Sequence, residues 1–239
     1  MTTDAENRAY YDDFSRSYEA KRHEGYHAVI DDLEMAVVGP LAKGKRVLEV
    51  GCGTGLILRR LSEIASQAKG IDLSEGMVSK AKERGLDVQL GSATAIPFEA
   101  NSFDVVCSFK VLAHVPDIAT ALREMVRVAA PGGYIVAEFY NPWSLRYLAK
   151  RLAGPRRISA SRTEADVYTR WDTPLTIAKI VPANARLIDY RGVRVFTPTA
   201  MAHDIPVAKR LLEKAEHAAL SSPLRYFGGF LLALLQKQD

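Results

Sequence analysis

Aromatic residues recur at three- and four-residue steps near the start of the chain. Tyr10, Tyr11, Phe14 and Tyr18 would share one face of a helix. A second helical stretch runs over residues 26–38, with Val29, Ile30, Leu33 and Val37 on one side, and Gly39-Pro40 is expected to end it. Then the pattern changes. A short apolar strand, Arg46–Val50, runs into Gly51-Cys52-Gly53-Thr54-Gly55, and a helix follows with Ile57, Leu58, Leu61, Ile64 and Ala65 on its apolar face. Strand and helix go on alternating: 69–72 extended, 77–84 helical, 88–90 extended, 103–108 extended. Asp117 is placed to cap a helix containing Ile118, Leu122, Met125 and Val126, and Pro131-Gly132-Gly133 turns into a fifth strand at 134–139.

This alternation predicts an α/β fold with a doubly wound, mostly parallel seven-stranded sheet and N-terminal helices. The rhythm is lost after Tyr140. Residues 141–176 read as an insert of short helix and loop, 185–196 as a strand, 200–220 as a helix and 230–235 as a last strand. The two late strands would finish the sheet with an antiparallel pair. The expected organisation is one domain, 1–239: a helical cap over 1–40, a core over 41–140, an insert or lid over 141–184 and the end of the sheet over 185–239.

Composition narrows the class. Hydrophobic residues make up 48% of the 239 and charged residues 25%, which excludes disordered, collagen-like and coiled-coil chains. The two cysteines, Cys52 and Cys107, each lie in an apolar run; two such thiols make neither a disulfide framework nor a zinc site, so no metal is expected. The polar, acidic start is no signal peptide, and the longest apolar run, 227–235, is too short to span a bilayer. A cytoplasmic location is expected. Charge is uneven: residues 1–140 carry 16 basic and 20 acidic side chains, for −4, and residues 141–239 carry 16 and 8, for +8. The basic half suits an anionic substrate, a headgroup layer or RNA, or is simply a solvated surface.

The strongest local signal is Glu49-Val50-Gly51-Cys52-Gly53-Thr54-Gly55, where the first strand meets its helix. Glycines there allow a sharp turn and let a ligand lie against the backbone. Leu56 stands where a dinucleotide fingerprint needs its third glycine, and no P-loop lysine follows, so a nucleoside-like ligand without a diphosphate is expected. Asp72, at the end of the second strand, suits the two hydroxyls of a ribose. The other reading of Asp72 is a strand-end acid that caps the next helix.

These stretches, together with 91–98, 102–116 and 131–138, resemble the class I S-adenosylmethionine-dependent methyltransferases, Rossmann-like in fold, and in particular the small-molecule group with the ubiquinone and menaquinone enzymes. The resemblance covers about residues 40–140. It implies S-adenosylmethionine as cofactor, with S-adenosylhomocysteine as product. It further implies that Glu49, Gly51, Cys52, Gly53 and Gly55 hold the methionine part and ribose edge, that Asp72 holds the ribose, and that Leu73 and Met77 lie against the adenine. In the third loop the family's Gly-Asp-Ala is replaced by Gly91-Ser92-Ala93, so the acid for the adenine amine is missing and Ser92 and Ala93 stand in its place. Phe109 would cover the substrate side, and Tyr18 or Tyr10 the methionine carboxylate.

Methyl transfer from a sulfonium needs an acceptor held ~3 Å from the methyl, water excluded and, for some acceptors, a base. His114 is the candidate base; the competing reading is a histidine that hydrogen-bonds backbone and shapes its loop. His23 and His27 fall in a segment that commonly forms the lid, and Tyr140, Trp143 and Trp171 are candidates for the acceptor wall. The expected acceptor is a small molecule, hydrophobic or lipid-like, methylated at O, N or C. Two alternatives stand beside it: a tRNA or RNA methyltransferase, against which the absence of an RNA-binding appendage argues, and a cofactor-binding protein without turnover. Leu145, Leu148 and Leu152 on one side of a basic helix are open to a peripheral membrane contact or to a lid role. The sequence does not specify an oligomeric state.

Overall fold

The computed structural model describes residue 12 and residues 26–154, 168–197 and 206–238. The helix expected over residues 7–18 lies outside them. Seven strands form one sheet: β1 (Arg46–Val50), β2 (Gln67–Asp72), β3 (Val88–Leu90), β4 (Phe103–Ser108), β5 (Ala129–Tyr140), β6 (Ala185–Val193) and β7 (Phe230–Lys237). Their spatial order is β3-β2-β1-β4-β5-β7-β6. The first five pair in parallel, and β7 lies antiparallel between β5 and β6. The helices are α1 (Tyr26–Ala42), α2 (Leu56–Ser62), α3 (Glu75–Glu83), α4 (Ile118–Val128), α5 (Leu145–Ala153), α6 (Pro174–Ile180) and α7 (Pro206–Ala219).

Successive strand residues point to opposite faces, and here both faces are covered. Leu48, Val106 and Ile135 pack with Leu122 and Met125 of α4 and Ile177 of α6. Their neighbours Val47, Val105 and Val136 pack on the other side with Ile30 and Leu33 of α1 and Leu61 of α2. Unbroken apolar runs such as Val47-Leu48 and Val105-Val106-Cys107 follow directly from this two-sided burial. A smaller cluster joins Val78 and Ala81 of α3 to Cys52, Leu58 and Val88.

α2 ends at Ser62, ahead of Ile64 and Ala65, which the sequence pattern placed on its apolar face, and two further expectations need correction. α1 does not stop at Gly39-Pro40 but runs to Ala42. Pro40 forfeits one helical donor, yet Val38 and Ala42 are wholly buried, and that packing outweighs a single bond. The end closes with the Lys43 amide donating to Gly39 O at 3.2 Å and the Gly44 amide to Ile64 O at 2.8 Å. Second, β5 starts at Ala129, so Pro131-Gly132-Gly133 is not a turn ahead of the strand. It lies within β5, whose pairing with β4 shifts register between Phe103 and Val105.

Chain order reverses between β1 and β4, so the loops after β1, β2 and β4 open a crevice at the carboxyl end of the sheet. No described helix is long and apolar enough to cross a membrane.

Candidate active site

A pocket fills that crevice. It is lined by Gly51, Gly53, Asp72, Leu73, Met77, Gly91, Ser92, Ala93, Phe109, Lys110, Val111, His114 and Val115. Nine of the residues singled out from the sequence therefore meet: Gly51, Gly53, Asp72, Leu73, Met77, Ser92, Ala93, Phe109 and His114. Glu49, Cys52 and Gly55 are not on the lining, and Tyr18, like Tyr10 and His23, lies outside the described residues. His27 sits on the first turn of α1, away from the lining.

The β1–α2 loop is held by its glycines and by Asp72. Gly51 has a positive φ of 74°. A Cβ on it would meet Val111 Cγ2 at 2.3 Å, so the loops after β1 and β4 touch only because residue 51 has no side chain. Gly55 caps α2 in the left-handed conformation, and a Cβ there would strike Leu86 at 2.2 Å. Its role is to start the helix. Asp72 accepts the Gly53 amide on Oδ2 at 2.8 Å and the Ser74 amide on Oδ1 at 2.9 Å. The Leu73 amide also favours the ionised carboxyl, and Asp72 lines the pocket. Burial pushes its carboxyl above the ordinary range, against the backbone N–H groups that favour the ionised form. The helix-capping alternative belongs to Ser74, whose Oγ accepts the Met77 amide at 3.1 Å. Asp12 joins this cap from far up the chain, with Oδ1 accepting from Ser74 Oγ at 2.5 Å and from the Gly76 amide at 3.1 Å.

Ser92 is less free than its position suggests. Its Oγ lies 2.9 Å from Thr94 Oγ1 and accepts the Thr94 amide at 3.2 Å, so it shapes the third loop. Cys52 is buried beneath the loop against Leu58 and Val78, and burial raises its thiol pKa, which leaves it a packing residue.

Glu49 belongs to a buried acid cluster that the sequence did not disclose. Glu49, Glu34 and Glu138 are almost wholly buried, with Asp31 nearby. Lys110 Nζ stands 2.8 Å from Asp31 Oδ1 and 2.8 Å from Glu34 Oε1. The Lys110 amide donates to Glu138 Oε1 at 3.0 Å, which helps hold Lys110 at its left-handed φ of 60°. One cation faces four acids, and burial raises the carboxyl pKa of Glu34, Glu49 and Glu138. Glu49 Oε2 has no hydrogen-bond partner among the described residues.

His114 closes the other side of the pocket. Its Nδ1 lies 2.8 Å from the carbonyl oxygen of Tyr168. A carbonyl only accepts, so Nδ1 carries the proton and Nε2 holds the lone pair. Nε2 lies 3.5 Å from Tyr140 Oη, and the two rings meet edge to face. Burial lowers the His114 pKa, and the charges of Arg146 and Lys150 lower it further. Tyr140 continues into an aromatic wall with Trp171 and Phe230, at 5.6 and 5.3 Å between centroids. Trp143 does not join it and is 45% exposed. Gly91, Lys110, Val111 and Val115 line the pocket without having been singled out; only the Gly91 position within the third loop carried a local signal.

Comparison with known proteins agrees with this fold. The methyltransferase-domain family matches residues 48–137, from β1 through most of β5. A demethylmenaquinone methyltransferase from Corynebacterium efficiens is 31% identical over 157 residues, 60% of this chain and 68% of that protein. Another from Renibacterium salmoninarum is 37% identical over 135 residues, 52% of this chain and 57% of its own length. Among solved structures, an S-adenosylmethionine-dependent methyltransferase from Thermotoga maritima shares the fold with a TM-score of 0.68 at 18% identity, covering 97% of this chain and 99% of that one. One curated relative is thus matched at 31% identity over two thirds of its length, and the fold is shared with a solved methyltransferase. The chain belongs to the class I S-adenosylmethionine-dependent methyltransferases, and S-adenosylmethionine is its cofactor.

Proposed function

We propose that this enzyme methylates a small, hydrophobic, hydroxyl-bearing aromatic acceptor of the quinol type. The observation that carries the reading is His114: it lines the pocket shared with Gly51 and Asp72, has its proton on Nδ1 and its unprotonated Nε2 on the side of the Tyr140 hydroxyl, and meets the Tyr140 ring edge to face. The names of the curated relatives point to the same acceptor class.

The residues present fit the cofactor. Gly51 and Gly53 offer backbone without side chains, the Asp72 carboxylate suits ribose hydroxyls, and Leu73 and Met77 offer an apolar bed for adenine. Glu49 lies behind the loop, off the pocket lining, with its buried Oε2 unpartnered among the described residues. When bound, S-adenosylmethionine supplies an electrophilic methyl group on a sulfonium. The chain's own residues do the rest. Phe109 and the Tyr140 wall exclude water and orient a flat acceptor. Nε2 of His114 takes the acceptor's hydroxyl proton, and its lowered pKa keeps it unprotonated at neutral pH.

We also propose that α5 touches a lipid surface and so gives a membrane-dissolved acceptor a route in. Leu145, Leu148 and Leu152 are 50, 55 and 82% exposed, on a helix that also carries Arg146, Lys150 and Arg151.

The deciding experiment uses the purified enzyme with methyl-labelled S-adenosylmethionine and a reduced demethylmenaquinone carrying a short side chain. Label in the organic phase with stoichiometric S-adenosylhomocysteine is expected. No transfer to this acceptor, with label instead in a polar metabolite or in RNA, would refute the acceptor class. Cofactor binding with no transfer to any acceptor would mean a protein without turnover.

A further inference from the structure

Arg146 stands out among the described cations. Several arginines of the sheet and its inserts are answered by acids: Arg170 by Asp172, Arg127 by Glu124, Arg46 by Asp104, and both Arg191 and Arg225 by Asp189. Arg146 instead lies over three aromatic rings, its guanidinium carbon 4.3 Å from the Tyr140 centroid, 4.7 Å from Phe230 and 5.2 Å from Trp171. Its Nη1 is buried with no hydrogen-bond partner among the described residues. The guanidinium also hydrogen-bonds the Tyr140 side chain, which leaves Nη1 over, and the N–H edge of a guanidinium is the part that binds planar oxyanions.

The surroundings keep the side chain where it is. Ser144 caps α5 by accepting the Tyr147 amide, which places Arg146 on the first turn. Gly229 leaves room for its stem: a Cβ there would approach Arg146 Cδ to 3.1 Å. Tyr140 is the shared wall, stacked by Arg146 on its face and met by the His114 ring edge to face at 5.6 Å. A proton acceptor and a cation with no acidic partner among the described residues thus border one aromatic residue.

We propose that Arg146 binds a negatively charged oxygen of the acceptor, a carboxylate or an ionised ring hydroxyl, next to His114. This deepens the quinol-type reading and rests on it: an acceptor whose hydroxyl proton passes to His114 leaves an oxyanion, and Nη1 of Arg146, unpartnered among the described residues, is the donor we assign to receive it. The acceptor is then chosen for an anionic or ionisable oxygen on a flat ring as well as for its apolar body.

Binding tests this without turnover. Calorimetry on the full chain saturated with S-adenosylhomocysteine would compare 2-naphthoate, 2-naphthol and 2-methoxynaphthalene. We expect one of the first two to bind at least about tenfold more tightly than the methyl ether, the scale of a charge-assisted bidentate contact. Preference for naphthoate identifies a carboxylate; preference for naphthol that grows from neutral pH towards its own ionisation identifies a ring oxyanion. In Arg146→Met the preference should vanish while the S-adenosylhomocysteine affinity stays at the wild-type value. Arg146→Lys keeps the charge but not the fork and should retain only part of the preference. Equal binding of all three probes by the wild type, or a preference that survives in Arg146→Met, would overturn the proposal. Failure of the wild type to bind S-adenosylhomocysteine would instead refute the reading beneath it.

Discussion

At the scale of the residue, Asp72 and His114 carry the most exposed claims. Asp72→Ala removes the proposed ribose acceptor and also frees the Gly53 and Ser74 amides that Asp72 now receives. Affinity for S-adenosylhomocysteine should fall by about 1.5–3 kcal/mol, the range for hydrogen bonds to a charged group, as measured by calorimetry. An unchanged affinity would remove Asp72 from the site. For His114 the sign follows from burial. Its pKa is lowered from 6.5, and the base form is the unprotonated one. The kcat/KM of the wild type should therefore rise with pH along a limb centred below 6.5 and be flat through neutrality. In His114→Gln that limb should disappear and turnover should fall, with S-adenosylhomocysteine affinity little changed; a limb that persists would assign it to another group. Gly51, Gly53 and Asp72 were legible because their chemistry is local: a glycine-rich turn and a strand-end acid are written in consecutive residues. Lys110 and Val111 were not. Their importance comes from a positive φ at Lys110 and from the space left by a missing side chain 60 residues away at Gly51.

At the scale of the element, the pocket depends on two loops that fit each other. In Gly51→Ala the new methyl would cost about 1–2 kcal/mol for the left-handed backbone alone, before its contact with Val111. A lowered Tm and weakened S-adenosylhomocysteine binding are expected. Val111→Ala removes the two methyl carbons at 2.3 and 2.9 Å, so it should cost less in the Gly51→Ala background than in the wild type. Thermal melts of the four proteins would measure this coupling, and strict additivity would mean that the loops do not constrain each other. The same scale holds α5. Flotation with anionic vesicles should carry the wild type upward and leave Leu148→Asp/Leu152→Asp behind, with thermal stability unchanged because both side chains face outward. Co-flotation of the double variant at the wild-type level would rule out a contact made through this face. The sequence pattern revealed the leucine stripe of α5 but not whether the fold covers it, since periodicity reports that a face is apolar and says nothing of what lies opposite. It misplaced the end of α1 for a related reason: Pro40 is a local signal, whereas the burial of Ala42 against the sheet is not.

At the scale of the whole molecule, the acids behind the pocket set how stability responds to pH. Asp31, Glu34, Glu49, Lys110 and Glu138 come from α1, β1, the loop after β4 and β5, and no spacing rule could have foretold that they meet. The strand order brings them together, so this cluster was illegible for the reason that made the sheet itself readable: alternation specifies layers, while convergence needs coordinates. Burial raises the carboxyl pKa of Glu34, Glu49 and Glu138 above the 4.5 expected of the unfolded chain. Between those values the folded state binds more protons than the unfolded one, so each acid lends stability at low pH that is lost as pH rises through its folded pKa. His114 works the other way, its contribution lost as pH falls below 6.5. Three acids outweigh one histidine, and above pH 6.5 the histidine no longer contributes a slope. The Tm of the ligand-free protein should therefore decline as the pH is raised above the 4.5 of the unfolded carboxyls, until the folded pKa values are passed. Glu138→Gln retains a carbonyl oxygen for the Lys110 amide but cannot ionise, so it should flatten the decline and gain on the wild type most at the alkaline end. A wild-type Tm that is level or rising over this range would mean that the acids are ionised in the folded state, held by Lys110 and solvent more firmly than their burial allows.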